Sequence, residues 1–402
     1  MPSDKPYTRL SAVLAIVIAA VCLCGASAAA QQESVLYSFP IGNGGSLEPL
    51  SGVALHGGDV YGAAGNSIFE LRPLGGGVSQ EKVIYFVAPV GDGMAQGTPI
   101  FDAAGNLYSV SNGKLSGVFE LTPDPGGGWT AATLFDFGSG LQPDSPVAGV
   151  VLDGAGNLYG TTALGGAYGF GSPSGTVFEL MPQAGGGWND KLLHSFGYGT
   201  DGNQPNAAVI FDSAGNLYGT TTGGGAYAQG IAFELMPQAN GGWKEKILHS
   251  FGNGSDGQKP YSSLVLDAAG NLYGTTQQGG TYGLGTVFEL TPQAGGTWMG
   301  KLLHSFGDGD DGQRPYAGLI FDTAGNLYGA AEVGGTYSGG VAFELTPQEN
   351  GTWTETILHN FGSGTDAKWP MGTLTFDASG NLYGTTLQGG TWGYGAVYEI
   401  MP

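Results

Sequence analysis

The stretch Asp267-Ala-Ala-Gly-Asn-Leu-Tyr-Gly-Thr-Thr-Gln-Gln-Gly-Gly280 is the clearest copy of a unit that repeats along this chain. Its central tetrapeptide, Gly-Asn-Leu-Tyr, occurs at 105–108, 156–159, 215–218, 270–273, 325–328 and 380–383. A degenerate copy, Gly58-Asp-Val-Tyr61, precedes these, and the last three intervals are each 55 residues. A fixed period of this length is typical of propellers and solenoids, and the copies indicate seven units.

The residues around this stretch predict four short strands in each unit. In the fifth unit they are Ser262 to Asp267, Leu272 to Thr276, Thr286 to Leu290 and Trp298 to Phe306. Turn residues or a glycine-rich loop separate each strand from the next, which favours antiparallel pairing. Because four antiparallel strands make one propeller blade, we expect an all-β, seven-bladed β-propeller of four-stranded antiparallel blades.

The first and last motifs predict how this ring closes. The fourth-strand motif first appears at Val35–Phe39, before any complete unit, and the last motif in the sequence is a third strand, Val397–Ile400. Pairing of strand 35–39 with strand 397–400 would complete blade seven and remove the open sheet edges. An open β-solenoid is the alternative, but it leaves the complementary ends unexplained.

Residues 1–30 have the pattern of an export signal. Lys5 and Arg9 precede an apolar run, Leu10 to Leu23, which is too short to favour a membrane span, and small residues follow it. We expect cleavage before Gln31, export to the periplasm or beyond, and a single propeller domain over 31–402; an uncleaved anchor is the alternative. The repeat units are expected near 51–87, 98–137, 148–196, 207–251, 262–306, 317–361, and 372–402 plus 34–39.

Composition and charge exclude several classes of protein. The 78 glycines follow no Gly-X-Y period, which excludes collagen, and 41% hydrophobic residues are too many for a disordered chain. A net charge of −21 argues against nucleic acid and anionic membranes as partners. Cys22 and Cys24 both lie in the expected signal, so we expect neither disulfides nor thiolate metal sites. We expect a monomer without a cofactor.

The repeat resembles the GloVer tandem-repeat family of bacterial exported proteins. The stretch 267–280, followed by Gly285-Thr-Val-Phe-Glu-Leu290 and by Leu302-Leu-His-Ser-Phe-Gly307, carries the resemblance. It covers nearly the whole chain after the expected signal, closely in blades three to seven and weakly in the first two. The resemblance implies export and a propeller fold, and it implies no activity or site.

One face of the predicted ring collects aromatic and acidic loop residues. Aromatic rings beside carboxylates suit a sugar, which has an apolar C–H face and a polar rim. We predict that this face binds a glycan or a protein through Tyr168, Tyr227, Tyr282, Tyr337, Trp392, Asp201, Asp256, Asp311 and Asp366. The alternative is that the aromatic residues pack between blades and the aspartates cap glycine-rich turns.

The loops on this face are not equal in length. Blades one and two have short loops around Gly65-Asn66 and Asn112-Gly113, whereas the loop of blade three, Leu164 to Gly175, is enlarged. We expect a groove suited to an extended ligand where the loops are short.

Two further functions stay open from the sequence: a hydrolase or lyase acting on polysaccharide, and a structural scaffold of the cell envelope. The enzyme needs a specific acid/base pair, and Asp311 with the non-recurring Glu332 is the candidate.

Two repeated positions carry groups that could bind metal or hydrogen-bond. Histidine occupies one register of the fourth strand at 194, 249, 304 and 359, and aromatic residues replace it at Tyr37, Tyr85 and Phe135. This replacement favours packing, so we expect no metal site. A glutamate recurs in every third strand, and we predict that it accepts hydrogen bonds from neighbouring strands, from the threonine pair or the histidine.

Overall fold

The computed structural model describes residues 32–40, 49–75, 78–88, 92–138, 145–168 and 174–401. The predicted export signal lies outside these ranges, so its cleavage and the localisation stay predictions. The described part of the chain consists of strands and turns and contains no helix. No helix in these ranges is therefore long and apolar enough to span a membrane.

Seven four-stranded antiparallel blades form a ring, as the sequence predicts. The strands of blades one to three are Ala54–His56, Asp59–Ala64, Ser67–Gly75 and Val78–Phe86; Gly93–Phe101, Leu107–Gly113, Gly117–Pro123 and Trp129–Asp136; and Val151–Leu152, Leu158–Thr162, Thr176–Pro182 and Trp188–Ser195. Those of blades four and five are Ile210–Phe211, Leu217–Thr221, Ile231–Pro237 and Trp243–Ser250; and Val265–Leu266, Leu272–Thr276, Thr286–Pro292 and Trp298–Ser305. Those of blades six and seven are Ile320–Phe321, Leu327–Ala331, Val341–Pro347 and Trp353–Asn360; and Thr375–Phe376, Leu382–Gly389, Ala396–Met401 and Gln32–Ser38.

Short strands also join the loops on one face. The loops that enter blades four, five and six each pair with the loop after the second strand of the same blade, and Ala367–Pro370 pairs with the long second strand of blade seven. The paired segments are Gly202–Asn203 with Gly223–Gly224, Gly257–Gln258 with Gln278–Gly279, and Gly312–Gln313 with Val333–Gly334.

The ring closes in blade seven, where the first and last strands of the described chain pair. Gln32–Ser38 runs antiparallel to Ala396–Met401, with Val35 opposite Tyr398 and Ser38 opposite Ala396. The amide of Phe39 also donates to the carbonyl of Gly395 at 3.0 Å. The predicted closure is therefore confirmed.

The glycine after Leu-Tyr in the second strand makes room for a phenylalanine of the third strand. A Cβ built on Gly274 would lie 2.7 Å from Cζ of Phe288, and Gly62, Gly160, Gly219 and Gly329 meet their own phenylalanines at 2.4–2.6 Å. Such distances are shorter than packed atoms allow, so the repeated glycine is a packing requirement.

Aromatic contacts join each blade to the next. A ring near the end of one fourth strand meets the third-strand ring of the following blade, with centroids 4.8–5.3 Å apart at all seven junctions. At the closing junction, Phe39 of blade seven packs against Phe69 of blade one at 5.3 Å. Because both rings are almost fully buried, this ladder is a large part of the inter-blade core.

The recurring third-strand glutamate accepts a hydrogen bond from the tyrosine of Gly-Asn-Leu-Tyr. In blade five, the hydroxyl of Tyr273 donates to Glu289 at 3.0 Å and lies 3.2 Å from Asp267. Equivalent tyrosine–glutamate bonds are present in blades two, three, four and seven. The prediction that this glutamate accepts a hydrogen bond from a neighbouring strand is confirmed. The predicted donors, threonine or histidine, were wrong for these blades, because the donor is tyrosine.

Candidate functional site

The first strands of the blades surround a central channel of about 480 Å³. Its wall is mostly apolar, but Gln96, Asn206, Tyr261 and Tyr316 add polar groups where the chain enters several blades. Tyr261 and Tyr316 meet edge to face with centroids 5.0 Å apart. The side-chain amide of Gln277 donates to the hydroxyl of Tyr316.

Four residues beside this channel adopt the left-handed backbone conformation although they are not glycine. Gln204, Lys259, Arg314 and Trp369 have φ of 56–62°, and each precedes a proline. In this conformation their amides donate at 2.7–2.8 Å to carbonyls of the preceding blade. Backbone strain of roughly 1–3 kcal/mol at each position is thus offset by bonds that tie adjacent blades together.

The repeated histidines and aspartates, which the sequence analysis treated separately, form pairs at the junctions between blades. His249 Nε2 lies 2.7 Å from Asp256 Oδ2, and the other three pairs lie at 3.0–3.1 Å. The second carboxylate oxygen accepts a backbone N–H of the following residue. The aspartates therefore cap glycine-rich loops, as the alternative from the sequence states, and they also hold the histidines.

A third position on the next blade faces each of these pairs. It lies on the fourth strand, opposite a leucine or isoleucine of the third strand, and carries Glu245, Glu355 or Glu33 at three junctions. At the junction between blades four and five, the residue at this position is Gly300, which faces His249. A Cβ built on Gly300 would lie 3.2 Å from Cε1 of His249, so a longer side chain at this position would lie against the imidazole.

The three glutamates are held close to an aspartate in a desolvated environment. Burial and the neighbouring aspartate raise the pKa of Glu245 and of Glu355 to about 8, and that of Glu33 to about 7. Burial also acts to raise the pKa of Asp311, but the hydrogen bonds from His304, the Gly307 amide and Glu355 outweigh it and lower this pKa. Near neutral pH, Glu245 and Glu355 are therefore mostly protonated, and Glu355 donates a hydrogen bond to Asp311.

The absence of a side chain at Gly300 coincides with a cavity of about 630 Å³ between blades four and five. Tyr227, His249 and Asp256 line it together with Lys301, and Asn253, Ser255, Ile247 and Leu302 are further lining residues. Tyr227 is 47% exposed and Leu302 40% exposed, so apolar surface faces the solvent beside hydrogen-bonding groups. This cavity brings together two residues of the predicted ligand-binding set, Tyr227 and Asp256.

The other aromatic residues of that set are exposed side chains of the equivalent loops in the other blades. Tyr168, Tyr282, Tyr337 and Trp392 are 48–61% exposed, so they are not packed between blades. Tyr168 lies near Tyr198, with centroids 5.5 Å apart. Burial of the aspartates is deeper: the side chains of Asp201, Asp311 and Asp366 are 5–9% exposed, against 24% for Asp256.

The suggested acid/base pair does not share a common set of contacts. Asp311 bonds to His304 and the amides of Gly307 and Gly312. Glu332 instead lies 4.0 Å from Arg314, and burial raises its pKa. Among the residues that the structure describes, no hydrogen bond or ion pair joins Asp311 to Glu332, and their role as an acid/base pair stays a prediction.

Comparison with known proteins identifies the family. The model of the Gloeobacter/Verrucomicrobia repeat matches residues 38–265 and, in an overlapping match, 172–398. The chain belongs to this repeat family. The resemblance seen in the repeat motifs is thereby confirmed, and a search of curated proteins finds no match.

Solved structures share the fold at low sequence identity. A streptogramin B lyase is 13% identical, with 92% of this chain and 97% of the lyase covered and a TM-score of 0.56. An ancestral GH74 enzyme is 12% identical, with 88% of this chain but 48% of that enzyme covered and a TM-score of 0.57. These likenesses show the propeller architecture alone, because one fold supports many functions.

Proposed function

We propose that this protein binds a glycan in the cavity between blades four and five. The observation that carries the proposal is the break in the repeat at Gly300. The other junctions with a His–Asp pair carry a glutamate at this position, whereas the junction with Gly300 has a cavity. A volume of about 630 Å³ is within the usual range of small-molecule sites, roughly 300–1,000 Å³.

The lining residues offer the two kinds of contact that a sugar ring needs. The half-exposed ring of Tyr227 and the exposed side chains of Ile247 and Leu302 provide apolar surface for the C–H face. Asp256 accepts hydrogen bonds from hydroxyl groups, while the Asn253 amide and the Ser255 hydroxyl can donate them.

Asp256 is also prepared for this role by its own contacts. His249 and the amide of Gly257 hold its two oxygens in place, and each oxygen keeps a free lone pair. Its side chain is 24% exposed, whereas the equivalent Asp311 is 5% exposed. Asp256 is therefore the more accessible of these two carboxylates for a ligand.

A glycan array followed by titration calorimetry with the best glycan tests the proposal. We expect Tyr227→Ala to weaken binding about 10-fold, equivalent to roughly 1.4 kcal/mol, and Gly300→Glu to abolish it by filling the cavity. Tyr282→Ala is the matched control, because it removes the equivalent ring in blade five, where Glu355 occupies the position that corresponds to Gly300. The affinity of this variant for the glycan should stay within about 2-fold of that of the unaltered protein.

Two outcomes contradict the proposal. One is an array on which the folded protein binds no glycan. The other is a pair of equal affinities for Tyr227→Ala and Tyr282→Ala, which would place the ligand elsewhere on the loop face.

A further inference from the structure

Three junctions between blades each bring an imidazole and two carboxyl groups together. One ligand atom from each of the three residues lies within 4.8 Å of the other two. The groups are His194, Asp201 and Glu245; His304, Asp311 and Glu355; and His359, Asp366 and Glu33. In each group the histidine comes from one fourth strand, the aspartate from the loop that follows it, and the glutamate from the fourth strand of the next blade.

The distances within these groups match those between ligands of one metal ion. A zinc ion binds nitrogen and oxygen at about 2.0–2.2 Å, so two ligands at a tetrahedral angle are about 3.4 Å apart. Nε2 of His304 lies 3.1 Å from Asp311 and 3.7 Å from Glu355. Nε2 of His194 lies 3.1 Å from Asp201 and 4.0 Å from Glu245, so only small side-chain movements would complete the site.

A second observation indicates that each group can accept a further bonding partner. Oε1 of Glu33, of Glu245 and of Glu355 is buried and has no hydrogen-bond partner. A buried carboxyl oxygen without a partner is destabilising, and natural proteins rarely keep one. In Glu355 this oxygen is the atom 3.7 Å from the imidazole, so it faces the centre of the group.

We propose that these three junctions are Zn²⁺ sites, each with one imidazole nitrogen and two carboxylate oxygens as ligands. The mixed donor set favours zinc over calcium or magnesium, which bind through oxygen alone. Each ion would join two fourth strands and the loop between them, and would thus fasten adjacent blades in a chain that has no cysteine after residue 24.

A proton is the competing occupant of the same groups. The raised pKa of Glu245 and of Glu355, caused by burial and by the adjacent aspartate, means that a proton neutralises the pair when no cation does. A bound cation would replace this proton. Metal stoichiometry separates the two possibilities, because a proton leaves no metal in the folded protein.

The junction between blades four and five provides a natural comparison. His249 and Asp256 keep the pair there, but Gly300 replaces the glutamate. Glu81 provides the opposite comparison, because it occupies the glutamate register but faces the hydroxyl of Tyr37 in place of a histidine. The chain thus contains a junction that keeps the His–Asp pair but lacks the glutamate, and a junction that keeps the glutamate but lacks the histidine.

Zinc titration of the chelator-treated full chain, followed by calorimetry and by metal analysis after gel filtration, tests the inference. We expect three equivalents of Zn²⁺ for the unaltered protein, two for Glu355→Gln and none for the triple change of Glu33, Glu245 and Glu355 to Gln. Glu81→Gln, the matched control, should keep three equivalents, and Gly300→Glu should bind a fourth.

Cobalt titration adds a spectroscopic measure, because Co²⁺ with nitrogen and oxygen ligands in a tetrahedral site absorbs in the visible range. Circular dichroism and melting curves establish that each variant is folded. Fewer than three equivalents in the folded, unaltered protein, or a stoichiometry that the triple change leaves the same, would overturn the inference. Failure here leaves the glycan proposal standing, since that proposal concerns the junction without a glutamate.

Discussion

Truncation of Phe39 tests whether the ring owes its stability to closure by the first strand. Phe39 follows the strand Gln32–Ser38, is 1% exposed, and packs edge to face against Phe69 of blade one at 5.3 Å and Tyr37 at 5.1 Å. Replacing a buried phenylalanine by alanine costs about 3–5 kcal/mol, through lost burial and the cavity that remains. Because two edge-to-face contacts are among the interactions lost, we expect a loss in the upper part of this range, about 4–5 kcal/mol.

Equilibrium unfolding in urea, followed by tryptophan fluorescence, measures this loss as a change in the free energy of unfolding. Phe86→Ala is the matched control, because Phe86 also lies near the end of a fourth strand but is 60% exposed. We expect the control to change the free energy of unfolding by about 0.5 kcal/mol or less. Equal losses in the two variants, or a loss below about 1 kcal/mol for Phe39→Ala, would refute closure as a main source of stability.

Two further predictions concern the repeat itself. Gly274→Ala should destabilise the protein by about 1–3 kcal/mol, because the new Cβ would lie 2.7 Å from Phe288 Cζ, whereas Gly154→Ala, where no atom lies within 4 Å, should be nearly neutral in the same urea assay. The pKa of Asp267 is lowered, because burial acts to raise it but hydrogen bonds from Asn271 and other turn groups lower it more. A carboxylate with a lowered pKa stabilises the folded protein at pH values above its unfolded pKa near 3.8, and this contribution is lost as the pH falls through its folded pKa. Asp267→Asn should therefore destabilise more at pH 7 than at pH 2.5, and an equal loss at both values, measured by urea unfolding, would contradict this assignment.

Much of the fold could be predicted because its determinants are local and repeated. The turn from Asp267 to Asn271 is held by hydrogen bonds between residues at most four apart, so its residues identify it directly. The same turn, the glycine after Leu-Tyr and the third-strand phenylalanine recur at a fixed spacing, and this spacing predicts both the blade and the number of blades. Complementary first and last strands then predict the closure.

The candidate sites depend on contacts that no local pattern reveals. Prediction from sequence identified the histidines and the aspartates but assigned them to packing and to the loop face, and it did not consider Glu245, Glu355 or Glu33. The signal that could have found them is the alignment of fourth strands, in which glutamate recurs in one register and glycine replaces it at Gly300.

The sequence by itself determined the all-β class, the seven blades and the closing strand pair, because short-range turns and a regular period specify them. Only the tertiary structure decided which side chains meet across a junction. A β-bulge shifts the register of the fourth strand, between the Val287–His304 and Phe288–Leu302 pairs in blade five, and a shift of one residue turns the following side chains to the other face. The packing of the next blade then places its glutamate, or Gly300, against the histidine. This contact joins residues about one blade apart in the chain at three junctions, and residues near opposite ends of the chain, Glu33 and His359, at the fourth.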